Sequence, residues 1–170
     1  MTAWRPAYVA LGSNLSDPVR QVETAFAALA GLPATRLVAR SSLWRSRPMG
    51  PEDQPAFVNA AAGLLTTAGP RALLESLQAL ERRLGKTPPV VRWGPRVIDL
   101  DLLVFGELQL AEPGLRLPHP GLHQRNFVLY PLCEFAAELW VPGLARVRRL
   151  REQVAPAGIE RLAARGSGDD

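Results

Sequence analysis

An α+β domain built on an antiparallel sheet, in the order β-α-β-β-α-β and followed by extra C-terminal helices, is the fold this sequence predicts. Two observations carry the prediction. Short runs of strand formers closed by Gly or Pro stand before and after two segments whose apolar residues repeat at helical spacing. The 170 residues are 47% hydrophobic and 21% charged, an ordinary globular mixture with no low-complexity block and no apolar run long enough for a membrane helix. The element order is the ferredoxin-like split βαβ pattern. It places helices on one face of the sheet and leaves the other face open to loops or a ligand. One domain is expected over residues 1–165, with 166–170 a disordered tail.

The elements follow in order. Tyr8-Val9-Ala10-Leu11, ended by Gly12, is the first strand. Asp17-Pro18 supplies an N-cap and a first helical residue, Val22, Ala25, Phe26 and Leu29 form the stripe, and Gly31 stops it. Residues 37–45 form a second strand. Arg47-Pro48-Met49-Gly50-Pro51 and Gln54-Pro55 then force a loop of about ten residues, a length that tends to be functional. Residues 57–65 form a third strand, although Ala60, Ala61 and Ala62 are weak strand formers. Gly69-Pro70 opens a second helix with Leu73, Leu74, Leu77, Leu80 and Leu84 on one stripe, and Gly85 provides a left-handed cap. A second proline-bearing loop spans 86–95. Residues 97–105 are the clearest strand, and Gly106 turns the chain into a minor strand over 108–110. Pro118-His119-Pro120 is a stiff bend. A last helix over 127–135 carries Pro131 near its start or as a kink.

Twenty Lys and Arg against 16 Asp and Glu give a net charge of +4, and Lys86 is the only lysine. This balance admits nucleic acids, nucleotides and acidic small molecules as partners. Arg146, Arg148, Arg149 and Arg151 read as a solvated face. Cys133 is the single cysteine, so neither an internal disulfide nor a cysteine zinc set is available. With no secretory pattern at Met1-Thr2-Ala3-Trp4-Arg5-Pro6, a cytoplasmic location is expected. The Walker loop, the G-x-G-x-x-G fingerprint and the G-x-S-x-G elbow are all missing, which excludes the P-loop, Rossmann and nucleophile-elbow chemistries.

Asp99-Leu100-Asp101 is the most informative tripeptide. Period two puts both carboxylates on one strand face, while Ile98, Leu100, Leu102 and Val104 point to the core. Two like charges so placed are relieved by a divalent cation, and carboxylates with substrate phosphates are the usual Mg²⁺ ligands. The same pair can also be an ordinary solvent-washed face. Arg92-Trp93-Gly94-Pro95-Arg96 brings two phosphate-compatible forks and an aromatic ring next to the pair, or simply salt bridges to it. His119, held between prolines, is followed by His123 and Arg125, and can donate to an anionic oxygen or pack as filler. Phe57 and Asn59 share a strand face, and with Phe127 they suit a planar heterocycle, two rings to stack and one amide to read its edge. Core packing of both rings is the alternative.

The stretch from Arg92 through Leu103 resembles the signature of the hydroxymethyl-dihydropterin pyrophosphokinases of folate biosynthesis. Ala10-Leu11-Gly12-Ser13-Asn14-Leu15, the run from Gly50-Pro51 to Phe57 and Asn59, and the run from Pro118-His119-Pro120 to Arg125 and Phe127 resemble that family in order and spacing. The resemblance implies a ferredoxin-like fold and transfer of pyrophosphate from ATP to the hydroxymethyl group of 6-hydroxymethyl-7,8-dihydropterin, with AMP as the second product. It implies two Mg²⁺ ions on Asp99 and Asp101. It places Arg92, Trp93, Arg96, Ile98, His119 and Arg125 at ATP, with Gln78 and Glu81 lining the nucleotide site. Phe57 and Phe127 would sandwich the pterin, with Ser46, Met49, Asn59 and Trp93 around it. Arg96, Lys86 and His119 join the aspartates as catalytic positions. Some members carry arginine at Lys86 and further cations where Pro88 and Pro89 stand. The implied partners are the two small molecules, without nucleic acid, membrane or an obligatory protein. Two other classes compete: a ferredoxin-like RNA-binding module, which lacks its closely spaced aromatics here, and a two-metal nucleotidyltransferase, which would release pyrophosphate.

Overall fold

Period-two strands and helical stripes sort this chain into three layers. The computed structural model describes residues 3–48, 54–86 and 95–163. At the centre of the sheet, β1 (Arg5–Ser13) pairs antiparallel with β4 (Phe57–Thr66) on one side and β5 (Asp99–Phe105) on the other. The far side of β4 is shared by β2 (Thr35–Arg40) and β3 (Trp44–Ser46), both antiparallel. A short C-terminal strand, β8 (Ile159–Arg161), extends the sheet beyond β3. A separate hairpin, β6 (Leu110–Glu112) with β7 (Leu115–Leu117), follows β5.

The helix α1 (Pro18–Ala30) starts where the sequence predicts, with the Asp17 carboxylate accepting from the Arg20 N–H at 3.4 Å. The second helix, α2 (Pro70–Arg83), likewise begins at Pro70. Val22, Ala25, Phe26 and Leu29 of α1 and Leu73, Leu77 and Leu80 of α2 pack on Val9, Leu11, Leu64, Leu100 and Leu102. Each fully buried leucine there contributes roughly 2 kcal/mol.

The expectation of helices on one face is corrected. The helix α3 (Asn126–Ala136) covers the opposite face, where Val128, Leu129 and Leu132 meet Ala10, Ala61, Leu103 and Val104. The short α4 (Val147–Glu152) packs on α3 through Val147 and Leu150. Pro131 sits in the second turn of α3, and Cys133 is half-buried beside the same cluster. Arg146, Arg148 and Arg149 reach solvent and pair with Glu138 and Glu152, as a solvated face would. Arg151 instead lies 4.4 Å over the Tyr130 ring.

Three local differences have physical causes. The strand predicted over 37–45 is two strands, because at Ser41 the N–H still donates to the Ala61 carbonyl at 2.9 Å while the side-chain hydroxyl accepts the Ala61 N–H at 2.8 Å. The strand predicted from Val97 begins at Asp99, and the minor strand predicted over 108–110 begins at Leu110. In β5 the register moves from Val9↔Leu102 to Tyr8↔Val104, so Leu103 is an extra residue. The bulge puts Val104 with Leu103 in the α3-side cluster and Phe105 on the α1–α2 side, reversing the predicted facing of Val104.

Candidate active site

The floor of the site is one row of paired residues that crosses four strands. Asp99 of β5 lies opposite Gly12 of β1, Gly12 opposite Asn59 of β4, and Asn59 opposite Trp44 of β3. In the next row, Asp101 lies opposite Ala10, and Ala10 opposite Ala61. The alternation in β1 sends Val9 and Leu11 into the core and leaves Ala10 and Gly12 under the cavity. Their small side chains open space between the carboxylates and the amide. A Cβ on Gly12 would stand 3.1 Å from Asn59 Nδ2. Gly12→Ala is therefore expected to displace Asn59 and to weaken binding of the ligand in this cavity by about tenfold, read by equilibrium titration, with little change in thermal stability.

The cavity over this floor holds about 310 Å³. Ser46, Phe57, Asn59, Arg96, Asp99, Asp101, His119, Arg125 and Phe127, all singled out from the sequence, line it. Phe127 comes from the first turn of α3 and Phe57 from the start of β4. Ser46 donates to Asn59 Oδ1 at 2.5 Å, which fixes the amide orientation and turns Nδ2 toward Gly12. A second cavity of about 430 Å³ lies between α2, β5 and the β6–β7 hairpin, lined by Gln78, Glu81, Lys86, Arg116 and Pro120 among others. Asp101 and His119 line both cavities.

A network of opposite charges joins the two spaces. Lys86 Nζ lies 2.7 Å from Asp99 Oδ1 and 3.1 Å from Glu81 Oε2. Arg96 Nε stands 3.4 Å from Asp99 Oδ2. Glu81 is buried and also accepts the Leu100 N–H at 2.7 Å. Burial raises the Glu81 pKa, against the pull of Leu100 and Lys86. Burial by itself would lower the Lys86 pKa, but Asp99 and Glu81 outweigh it and hold the ammonium above its ordinary range. Asp101 is pushed up to about 6, first by burial and then by the charges of Asp99 and Glu81.

Among the described residues, no set of three or more His, Cys, Asp or Glu could hold a metal ion. The donor set on offer is the Asp99–Asp101 pair. Two carboxylates on one strand face, the Asp101 one raised first by burial and then by the charges of Asp99 and Glu81, suit a hard divalent cation whose other ligands come from phosphate oxygens.

His119 is held by its backbone N–H on the Leu103 carbonyl at 2.8 Å. Its Nδ1 accepts the Gly121 N–H at 3.0 Å, so a neutral ring carries its proton on Nε2. Burial, then the Arg125 charge, lowers the His119 pKa from 6.5 to about 4. The sign follows by linkage. The unfolded chain takes up this proton at higher pH, so this group's contribution to stability is lost as pH drops from 6.5 toward about 4. Asp101, raised to about 6, pulls the opposite way over part of that window, so urea titrations are expected to show His119→Asn losing less stability than the wild type as pH falls.

Sequence reasoning missed several contributors. Asn14 is buried and holds two chain segments at once: its side chain donates to Gln54 Oε1 at 3.0 Å and to the Pro55 carbonyl at 2.9 Å, and accepts the Arg96 N–H at 2.7 Å. Arg47 lines the first cavity, and Glu112 and Arg116 the second. Only the polarity of Asn14 after a Gly-Ser strand end could have flagged it. Ile98 is fully buried in the α1–α2 core and lines neither cavity. Met49, Arg92, Trp93 and the Pro88-Pro89 pair lie outside the described residues.

A family model described as 7,8-dihydro-6-hydroxymethylpterin-pyrophosphokinase (HPPK) matches residues 8–137. The chain belongs to this family. It is 48% identical over 155 residues to the 2-amino-4-hydroxy-6-hydroxymethyldihydropteridine pyrophosphokinase of Pseudomonas aeruginosa, covering 91% of this chain and 95% of that one. The enzyme of the same name from Haemophilus influenzae is 42% identical over 149 residues, 88% of this chain and 92% of its own. Among solved structures, the Plasmodium falciparum HPPK-DHPS with pteroate superposes with a TM-score of 0.71 at 13% identity, over 90% of this chain and 43% of that one. At that identity the likeness speaks to the fold. The family's matched stretch contains every described residue that lines the two cavities.

Proposed function

We propose that this chain transfers pyrophosphate from ATP to the hydroxymethyl group of 6-hydroxymethyl-7,8-dihydropterin, giving AMP and the pterin diphosphate in folate biosynthesis. The observation that carries the reading is the seam at Asp101 and His119, where an aromatic-walled cavity meets a polar one. A reaction that joins two bound molecules needs such a seam, because holding both in line supplies much of the rate.

The first cavity takes the pterin, stacked between Phe57 and Phe127, with Asn59 reading its edge from the orientation Ser46 sets. The second takes the nucleotide along Gln78 and Glu81. At the seam the pterin hydroxymethyl oxygen bonds to the β-phosphorus, the bond from that phosphorus to the α-bridging oxygen breaks, and AMP leaves with the electron pair. The hydroxyl proton is released. Arg96 and Arg125 present planar forks to phosphate oxygens, and neutral His119 donates from Nε2. Lys86 holds Asp99 in the ligand-free protein and faces the phosphates once they arrive.

Asp99 and Asp101 would hold Mg²⁺, two ions in this reading, which when bound neutralises phosphate charge and acidifies the attacking hydroxyl. The same reading assigns Met49 to the pterin edge, Trp93 to both ligands, and Arg92 to the nucleotide.

The test is a product assay with purified protein, Mg²⁺, ATP and the pterin alcohol. AMP formed one-to-one with pterin diphosphate is expected. ADP would mean single phosphoryl transfer, and free pyrophosphate would mean nucleotidyl transfer; either overturns the reading.

A further inference from the structure

The segment 154–162 follows α4 and lies outside the stretch that the family model matches. It runs from one wall of the aromatic cavity to the other. On the α3 side, Asn126 Nδ2 donates to the Ala155 carbonyl at 3.0 Å and to the Ala157 carbonyl at 2.9 Å. Tyr130 donates its hydroxyl to the Val154 carbonyl at 2.8 Å. On the sheet side, β8 pairs with β3, the Arg47 N–H donates to the Gly158 carbonyl at 3.1 Å, and the Leu162 N–H donates to the Leu43 carbonyl at 2.8 Å. Arg45 and Glu160 close an ion pair across the two strands. Gly158, at φ 76°, makes the bend from α3 to the sheet edge, and the Arg47 stem packs on it, 3.4 Å from where a Cβ would stand.

The residues gripped at each end are next to cavity walls. Asn126 directly precedes Phe127 and follows Arg125, while β3 carries Ser46, the residue that orients Asn59, and leads into Arg47. The strap therefore joins the first turn of α3 to the strand beside Asn59. A second link lies farther along α3, where Glu134 accepts the Ser42 N–H at 2.9 Å and the Trp44 Nε1–H at 2.6 Å, and the Trp44 ring meets Tyr130 edge to face; the strap adds a link at the first turn of the helix.

We propose that residues 154–162 act as a strap that sets the spacing of the two walls of the pterin cavity, with Asn126 as its positioning residue. The inference rests on the pterin assignment given under Proposed function. Asn126 touches no ligand in this scheme. It acts through Phe127, and β8 acts through Ser46 and Asn59.

The experiment compares the full-length wild type with Asn126→Ala and, separately, Tyr130→Phe. Hydrogen exchange is read at the Arg47 and Leu162 amides. Affinities are measured by titration for 6-hydroxymethyl-7,8-dihydropterin, in the presence of a non-hydrolysable Mg²⁺–ATP analogue, and for that analogue alone. Asn126→Ala is expected to speed exchange at both amides and to weaken pterin binding by about tenfold, with affinity for the analogue alone within twofold of wild type. Tyr130→Phe, which removes one of the three bonds, is expected to show the same pattern at smaller amplitude. Faster exchange with unchanged pterin affinity would overturn the strap's role, and so would unchanged exchange in both variants. Equal weakening of both ligands would mean a general structural defect and would also overturn it. A wild type that fails to bind the pterin at all would instead bring down the functional reading on which the inference stands.

Discussion

Replacing Asp99 with alanine is expected to lower turnover by about a thousandfold or more and to weaken Mg²⁺–ATP binding, while the fold persists. Asp99 sits at the floor of the cavity, opposite Gly12, and takes charge from Lys86 at 2.7 Å and Arg96 at 3.4 Å. Without Asp99, Lys86 keeps Glu81 at 3.1 Å and Arg96 keeps the Pro95 carbonyl at 3.1 Å, so neither cation is stranded and the expected stability loss is small. One term even favours the variant, since Asp99 is among the charges that push Asp101 up to about 6. Steady-state kinetics, nucleotide titration with Mg²⁺, and a thermal melt check the claim together. A melting point lowered by many degrees with turnover retained would make the carboxylate structural and would sink the metal assignment.

Phe127→Ala is expected to weaken pterin binding by about a hundredfold and to leave nucleotide binding nearly unchanged. The ring lines the first cavity and not the second. It also packs against the edge of the α3-side cluster, whose centre is Val128, Leu129 and Leu132. The expected stability loss is therefore smaller than for a central residue. Separate titrations of the two ligands decide the matter. An effect confined to ATP would mean that Phe127 is not a wall of the pterin site.

Why so much of this site was legible in the sequence can be argued from single residues. Asp99 and Asp101 stand out because period two forces them to one face of a strand that is otherwise apolar. Phe57, Asn59 and His119 are ambiguous on chemistry alone, since rings and a lone histidine also serve as packing, and their order within the family-like segments is what singles them out. Gly12 and Ala10 do not stand out, since small side chains have no chemical signature and their role is the space they leave. The facing of Val104 was illegible because 102–105 are apolar at every position, so nothing in the pattern marks Leu103 as the extra residue. A helical stripe likewise says that α3 is buried, but not on which side of the sheet. The break at Ser41-Ser42 was readable in principle, since serine competes for backbone partners. The three-residue β8 was not, being too short and too polar to stand out from a loop.

The ion pair at Lys86 has a practical consequence. With no second lysine in the sequence, an amine-directed acylating reagent has one side-chain target. Acylation requires the neutral amine, and Asp99 and Glu81 hold this one as ammonium with its pKa raised. Its labelling should therefore be slow in the resting protein and quicken in Asp99→Ala, where one of the two carboxylates is gone. Mass spectrometry of a brief labelling pulse would then report the state of a single contact, without any engineered probe.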